Sequence, residues 1–241
     1  MKITITNSVW FVLEAPCCLN QSLLNMPKHK KLPDLKVLHD GEKFQLSNEG
    51  KFEFGMGWSA GGADLDASVI ALDSSGKLIG TMYFAEKEAL KDFGVSTSGD
   101  NMTGEGDGDD EVVTVDIAGL NNGKSDMLVH YLFFTISVYH SDCCDTFGCI
   151  GQKRINIYGP YHGDYGQIGS FDMNKSYGFG ANHLVAGVMR RIEDTDSFEF
   201  VSLGKEISIH SNNATALPTS ASFQEIVKGM NGPQTDEMSR L

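Results

Sequence analysis

Hydrophobic and polar residues alternate in short stretches along much of this chain. Phe52, Phe54, Met56 and Trp58 are separated by single polar or small residues, which is the period of a half-buried β-strand. Further short stretches of this kind, many rich in β-branched and aromatic residues, lie at 44–46, 67–73, 77–84, 113–117, 127–139, 152–158, 168–173, 182–191, 196–203 and 205–210. So many short strands and so few helical periods predict an all-β fold, mainly an antiparallel β-sandwich of two sheets.

Turn-forming residues separate these stretches. They lie at 47–50, 73–76, 159–160, 163–164 and 194–196. The first of these turns is predicted to close a β-hairpin between the strands at 44–46 and 52–58. Residues 85–98 are polar and irregular, apart from a helical turn predicted at 86–90. The most apolar stretch, 127–139, is predicted to be a central strand.

The composition divides the chain into three segments. Residues 1–37 are predicted to form an N-terminal extension, with a weakly alternating strand at 3–11 followed by a linker. Residues 38–210 hold most of the predicted strands and are expected to form the sandwich domain. Residues 211–241 are rich in Ser, Thr and Asn. We expect them to form a tail that either docks locally, through an amphipathic piece at 223–227, or stays mobile.

Charge is distributed unevenly. The chain has 241 residues, 41% of them hydrophobic, and a net charge of −13. Residues 92–122 contain eight acids and no Lys or Arg, which leaves −5 for the rest of the chain. This acidity argues against nucleic acid or an anionic membrane as the main partner, since both require clustered basic residues. Cations or a basic protein surface fit better.

The sequence also argues against membrane insertion and secretion. No apolar run approaches the roughly 18 to 20 residues of a membrane span. The N-terminus does not resemble a signal peptide, because Thr and Asn interrupt its short apolar patch. An odd count of five cysteines argues against a disulfide framework. The protein is therefore predicted to be cytoplasmic, with reduced thiols and no integral membrane segment.

Familiar catalytic patterns are missing from the sequence. The seven histidines are scattered without metal-ligand or triad spacing, and the cysteines lack zinc-finger spacing. No nucleophile elbow, P-loop or kinase motif is present. The protein is therefore not expected to be an enzyme.

The densest chemistry lies at 99–111, in the segment GDNMTGEGDGDDE. It carries Asp100, Asn101, Glu105, Asp107, Asp109, Asp110 and Glu111, with glycines set among them and no basic residue. Such a segment repels itself unless a cation neutralises it. Calcium takes about 6 to 8 oxygen ligands, and glycines let a backbone bend enough to turn its carbonyls inward.

A second acidic pair, Asp64 and Asp66, also directly precedes a predicted strand. If the two strands lie near one another, both sets of carboxylates meet at one end of the sheet. The EF-hand pattern does not fit the segment 99–111. The acidic residues offer more oxygen ligands than one calcium ion can bind, so two adjacent calcium ions are predicted. The alternative is an acidic surface loop that is merely solvated.

These segments resemble the TerD family, a tellurium-resistance and stress-response domain. The resemblance is carried by DLDAS at 64–68, by 99–111 and by GMGW at 55–58, and it covers roughly 38–209. It implies a calcium-binding β-sandwich. The implied ligands are Asp64, Asp66, Asp100, Asn101, Glu105, Asp107, Asp109, Asp110 and Glu111, with backbone oxygens of Ala67, Gly104 or Gly106 as additional ligands.

The chain departs from the family pattern at two places. An Asp commonly follows the central strand, where this chain has His140, Ser141 and Asp142, and an Asp often follows the tryptophan, where this chain has Ser59. One ligand position is therefore open to Asp142 or His140.

The resemblance implies a non-catalytic calcium-binding stress-response module whose ordered loops support interaction with a protein partner or self-association. Three alternatives remain open. The chain could be an assembly component that uses its terminal extensions. It could be a divalent-metal-dependent phosphoesterase. It could also bind a cyclic nucleotide, as relatives in slime moulds are described to do, although no segment here resembles a phosphate cradle.

Overall fold

Two six-stranded sheets face each other and enclose the main core. The computed structural model describes residues 31–59, 64–105, 108–122, 127–139, 146–173, 181–207 and 220–231. The predicted β-sandwich is confirmed. The strand predicted at 3–11, and the residues His140 and Asp142, lie outside the described residues.

In chain order, the strands are β1 (Lys31–Leu38), β2 (Lys43–Gln45), β3 (Lys51–Trp58), β4 (Asp64–Leu72), β5 (Leu78–Met82), β6 (Val95–Thr97), β7 (Glu111–Asp116), β8 (Tyr131–Tyr139), β9 (Lys153–Tyr161), β10 (Asp164–Asp172), β11 (His183–Arg191) and β12 (Phe198–Ile207). The helices are α1 (Ile117–Asn121), α2 (Ser220–Asn231) and two 3-10 turns at Lys91–Phe93 and Phe147–Cys149.

Sheet A has the order β1-β10-β9-β3-β7-β6, and sheet B has the order β2-β12-β11-β8-β4-β5. All paired strands are antiparallel except β1 and β10, which run parallel. Sheet A is therefore mixed, where the alternation had predicted antiparallel strands. The strand predicted as central, β8, lies between β11 and β4 in the middle of sheet B.

The hairpin predicted at 47–50 is wrong. β2 pairs with β12 in sheet B, while β3 lies in sheet A between β9 and β7. The turn therefore carries the chain from one sheet to the other. Alternation identifies which face of a strand is buried, but it does not say which sheet the strand joins.

Three other local predictions differ from the structure. The turn predicted at 159–160 lies inside β9, whereas the turn predicted at 163–164 agrees with the reversal at His162 and Gly163, both with positive φ. The strands predicted at 196–203 and 205–210 are joined in one strand, β12, as far as Ile207, and residues 208–210 lie outside the described residues. The region 85–98, predicted to be irregular, contains a short strand, β6.

After β7 the chain forms the short helix α1. Asp116 caps this helix by accepting a hydrogen bond from the Ala118 N–H at 3.0 Å.

The core confirms the alternation of β3. Phe52, Phe54, Met56 and Trp58 are all at most 6% exposed and belong to the cluster between the sheets. The ring of Phe54 stacks on Phe134 of the opposite sheet, with centroids 3.7 Å apart. Burial of this area is the main favourable contribution to folding.

The outer face of sheet B is covered by α2. Phe223, Ile226 and Val227 are buried in a second apolar cluster, and the Phe223 ring lies 5.0 Å from that of Phe133 on β8. The amphipathic piece predicted at 223–227 lies in this helix, and it docks. No helix within the described residues is long and apolar enough to cross a membrane.

Candidate metal centre

Three aspartates from different parts of the sequence meet at one end of the sandwich. Asp64 and Asp66 open β4, and Asp100 follows β6 on the way to β7. One carboxylate oxygen of each lies within 4.8 Å of the other two. Alternation places Asp64 and Asp66 on the same side of their strand. The structure thus brings the two acidic segments of the sequence together, one from each sheet.

Two of these carboxylates are buried. Asp64 is 9% exposed and Asp66 is 4% exposed, whereas Asp100 is exposed. Within the described part of the chain, Asp64 Oδ1 is buried and has no hydrogen-bond partner. An unpaired carboxylate oxygen removed from water is costly unless a proton or a cation neutralises it.

The electrostatics of the ion-free site favour protons. Burial raises the pKa of Asp64 to about 6, with the charge of Asp100 adding to the effect. Burial, with the charges of Asp64 and Asp100, raises the pKa of Asp66 to about 7. A bound divalent cation would reverse these shifts, because it stabilises the charged form of each carboxylate.

Glu111 links the acidic loop to β4. It opens β7 and is 3% exposed. Its Oε2 accepts a hydrogen bond from the Ala67 N–H at 2.8 Å, and its Oε1 accepts one from the Asn101 N–H at 3.3 Å. Burial raises the pKa of Glu111 to about 8, against the effect of the Ala67 hydrogen bond and together with the charge of Asp66.

Asp110 and Asn101 brace the loop internally. Asn101 Nδ2 donates to Asp110 Oδ1 at 3.1 Å, and Asp110 Oδ2 accepts from the Trp58 N–H at 2.9 Å. Burial raises the pKa of Asp110. Asn101 Oδ1 accepts from the N–H groups of Thr103 and Gly104 at 3.1 and 3.2 Å, an Asx-type turn.

Gly104 lies directly against the indole of Trp58. A Cβ at Gly104 would lie 2.4 Å from Trp58 Nε1, and its φ of +61° is strained for other residues. The alternation predicts Trp58 as a core residue. In the structure its indole also contacts the acidic loop, at Gly104. Glu105 is exposed, while Gly106 and Asp107 lie outside the described residues.

Asp109 faces a different set of residues, on the outer face of sheet A. Its Oδ1 accepts from Asn156 Nδ2 at 2.7 Å and its Oδ2 accepts from the Tyr158 hydroxyl at 2.6 Å. Arg154 Nε lies 3.8 Å from Asp109 Oδ1. A Cβ at Gly55 would lie 1.9 Å from Asp109 Oδ2. The carboxylate thus occupies the space that the glycine leaves.

Sequence reasoning missed these contacts on β9. Asn156, Tyr158 and Arg154 look like ordinary outward-facing residues of a strand. One signal was available, namely the two glycines of β3 within GMGW, because a strand glycine often marks a close approach by another group. The second of them, Gly57, makes room for the Arg154 guanidinium.

Ser59, at the other departure from the family pattern, contacts the segment before β9. Its N–H donates to the Gln152 carbonyl at 2.8 Å, and its Oγ accepts from the Gln152 N–H at 3.1 Å. It therefore joins the end of β3 to the start of β9.

Comparison with known proteins gives a consistent picture. The TerD domain matches residues 36–209. Tellurium resistance protein TerZ of Serratia marcescens is 39% identical over 103 residues, covering 37% of this chain and 50% of TerZ. General stress protein 16U of Bacillus subtilis (strain 168) is 39% identical over 133 residues, covering 50% of this chain and 66% of that protein. The chain thus spans about half the length of TerZ.

Two crystal structures are similar in fold. One is a homologue of telluride resistance protein TerD from Streptomyces coelicolor A3(2), with a TM-score of 0.54 and 12% identity, covering 67% of this chain and 92% of that chain. The other is a protein of unknown function with a TM-score of 0.54 and 20% identity, covering 70% of this chain and 95% of that chain. At these identities the similarity shows a shared fold.

Proposed function

This chain belongs to the TerD domain family, and from that premise we propose that it is a non-catalytic calcium-binding module with a role in stress response. The observation that carries the proposal is the convergence of Asp64, Asp66 and Asp100, together with the buried, unpartnered Oδ1 of Asp64. The relatives named for tellurium resistance and general stress support the biological setting.

The donor set favours calcium among the common cations. The three clustered side chains offer only carboxylate oxygens, which suit hard cations rather than zinc or copper. Magnesium usually retains several waters and uses one or two carboxylates, whereas calcium accepts many oxygen ligands in flexible geometry. The number of acids in the loop supports a second ion, for which Glu105 and Asp107 remain as donors.

The proposed ion would change the exposed part of the acidic loop. It would neutralise the carboxylates and fix the loop that carries Met102 and Glu105, both exposed. Met102 is 66% exposed, so the ordered loop presents an apolar side chain beside acidic ones. We propose that a protein partner or a second copy of the chain binds this loop when the ion is present.

The test compares thermal unfolding of the protein in calcium, in magnesium and in EGTA. Calcium is expected to raise the melting temperature, because it binds the native state only. Asp66→Asn is expected to lose most of this increase. The matched control is Asp194→Asn, an exposed residue of the β11–β12 turn with φ +59°, where Asn fits well. An equal melting temperature in calcium and EGTA for the wild-type protein would refute the proposal.

An assembly role is a second candidate, supported by the terminal elements. β1 begins at Lys31 and α2 lies at Ser220–Asn231, both at least partly outside the residues matched by the family. β1 pairs with β10 in sheet A, and α2 packs on sheet B. Truncation of 211–241 exposes the face that α2 covers. Comparing the mass in solution of the truncated and full chains, each with and without calcium, separates this role from ion-dependent association.

A further inference from the structure

We propose that Asp109 is a positioning residue, which attaches the acidic loop to the outer face of sheet A and so holds the ion ligands in place without binding the ion. This inference rests on the proposed calcium function and deepens it. It assigns to Asp109 a role different from the one implied for the other acids of 99–111.

The hydrogen bonds of Asp109 separate it from the three clustered aspartates. Its side chain is 6% exposed, and both of its oxygens accept short hydrogen bonds, from Asn156 at 2.7 Å and from Tyr158 at 2.6 Å. Asp64 is also buried, but its Oδ1 has no partner in the described part of the chain. An ion would therefore satisfy Asp64, whereas Asp109 is already satisfied.

The position of Asp109 follows from the pleat of β3. Phe54 and Met56 point into the core, so Gly55 faces the opposite side of the sheet. Asp109 lies over Gly55, whose register partner on β9 is Asn156. The carboxylate is therefore on the outside of sheet A, while Asp64 and Asp66 lie on β4 of the other sheet.

The partners of Asp109 are themselves oriented. Gln167 Nε2 donates to Asn156 Oδ1 at 2.8 Å, which turns the amide Nδ2 of Asn156 toward Asp109. Burial raises the pKa of Tyr158 far above its usual range, so its hydroxyl remains a donor to the carboxylate. Arg154 Nη2 donates to the carbonyl of Gly108, which adds a third bond from β9 to this part of the loop.

A short chain of contacts joins this attachment to the ion ligands. The next residue, Asp110, donates its N–H to the Met56 carbonyl at 2.7 Å and accepts from Asn101 Nδ2. Glu111 accepts from the Asn101 N–H, and Asn101 directly follows Asp100. Displacing Asp109 is therefore expected to displace Asp100 through Asp110 and Asn101. Groups that orient metal ligands in this way typically contribute about 10-fold to 100-fold in affinity.

An exchange of side chains tests the role directly. Asp109→Asn is expected to weaken calcium binding by about 10-fold, because the amide cannot accept from both Asn156 and Tyr158 as a carboxylate does. The double variant Asp109→Asn with Asn156→Asp restores the hydrogen bond in the opposite direction, with the amide at residue 109 donating to the carboxylate at residue 156. If Asp109 is a positioning residue, calcium affinity measured by calorimetry should return to near the wild-type value. A ligand role for Asp109 predicts no recovery, because residue 109 would still lack the charged oxygen that binds the ion.

Two tyrosines of the same face provide a matched comparison. Tyr158→Phe removes only the hydroxyl, which contacts Asp109 and Asn156, and it is expected to weaken calcium binding. Tyr165→Phe removes a hydroxyl that instead contacts Glu53, and it is expected to leave calcium binding unchanged. Equal calcium affinities for Tyr158→Phe and the wild type would overturn the proposal. This pair also decides the question if Asp109→Asn does not fold.

A measurement without the ion separates this inference from the calcium proposal. Gly104 packs on Trp58, so acrylamide quenching of Trp58 reports whether the loop is in place; Trp10→Phe removes the other tryptophan. In EGTA, Asp109→Asn should increase the quenching, and the exchange variant should reverse the increase. A wild-type protein that fails to bind calcium, with this quenching pattern intact, would refute only the calcium function. Unchanged quenching in Asp109→Asn would overturn the positioning role.

Discussion

The Asp109 carboxylate fills the space that a side chain on Gly55 would need. A Cβ on residue 55 would lie 1.9 Å from Asp109 Oδ2 and 2.4 Å from its Cγ, so the carboxylate can lie on the sheet only because residue 55 has no side chain. This contact predicts the effect of a single added methyl group.

Gly55→Ala is expected to lower both calcium affinity and stability, because the methyl group displaces Asp109. Replacing a Gly within a strand by Ala ordinarily stabilises the protein by about 0.5 to 1 kcal/mol. A loss of stability in Gly55→Ala would therefore be opposite in sign to this ordinary backbone effect. The control is Gly148→Ala, whose Cβ would meet nothing closer than the Thr146 hydroxyl at 3.7 Å. Chemical denaturation measures the stability of both variants. A Gly55→Ala protein as stable as wild type would contradict the prediction.

Gly104→Ala tests the contact between the acidic loop and Trp58. The new methyl group would lie 2.4 Å from Trp58 Nε1 at a φ of +61°, and we expect a loss of about 1 kcal/mol or more with a change in Trp58 emission. Gly41→Ala separates strain from collision, because Gly41 has φ +81° and none of the described residues has an atom within 4 Å of its Cβ position. The emission change should occur only in Gly104→Ala.

Calcium affinity is expected to rise with pH between about 6 and 8. In the ion-free protein the pKa values of Asp64, Asp66 and Glu111 are about 6, 7 and 8, so protons compete with the ion over this range. Calorimetric titration at several pH values measures the slope. Equal affinity at pH 6 and pH 8 would contradict the prediction.

The same pKa shifts predict the stability of the ion-free protein. The folded pKa values lie above the ordinary values of 3.8 and 4.5. At pH values between the ordinary and the folded pKa of each group, the folded state therefore binds more protons than the unfolded state. The stabilisation is therefore complete below about pH 4 and is lost as pH rises through 6 to 8. Melting of ion-free protein across this range should show a decline that is smaller in Asp66→Asn.

Phe223→Ala tests the docking of α2 on sheet B. The Phe223 side chain is fully buried and its ring lies 5.0 Å from that of Phe133. Its removal is therefore expected to lower the free energy of unfolding by about 3 kcal/mol. A fluorescent dye that binds apolar surfaces should bind the variant more strongly. Glu225→Ala, an exposed residue of the same helix, is the control and should melt like the wild type.

The sequence was informative where the physical signal is local. The alternation from Phe52 to Trp58 predicted both the strand and its buried face. The positions of the two acidic segments, each just before a strand, predicted that Asp64 and Asp66 would meet the loop at 99–111 if those strands lay near one another. The order of the strands was not accessible, because the turn at 47–50 has the composition of a hairpin whether or not it crosses between sheets.

The partners of Asp109 could not be predicted for a different reason. Asn156 and Tyr158 are 47 and 49 residues away from it in sequence, and polar residues at outward positions of a strand usually face solvent. Only the folded arrangement shows that the loop lies over these positions.

The short outer strands limit how copies of this chain can associate. Among the described residues, the edges of the two sheets are β1 and β6 in sheet A and β2 and β5 in sheet B, and both β2 and β6 have only three residues. β1 contains Pro33, which has no N–H to donate to an added strand. Short edges and proline discourage edge-to-edge pairing. Self-association of this chain is therefore expected to use the sheet faces or the acidic loops, and not the extension of a sheet from one copy to the next.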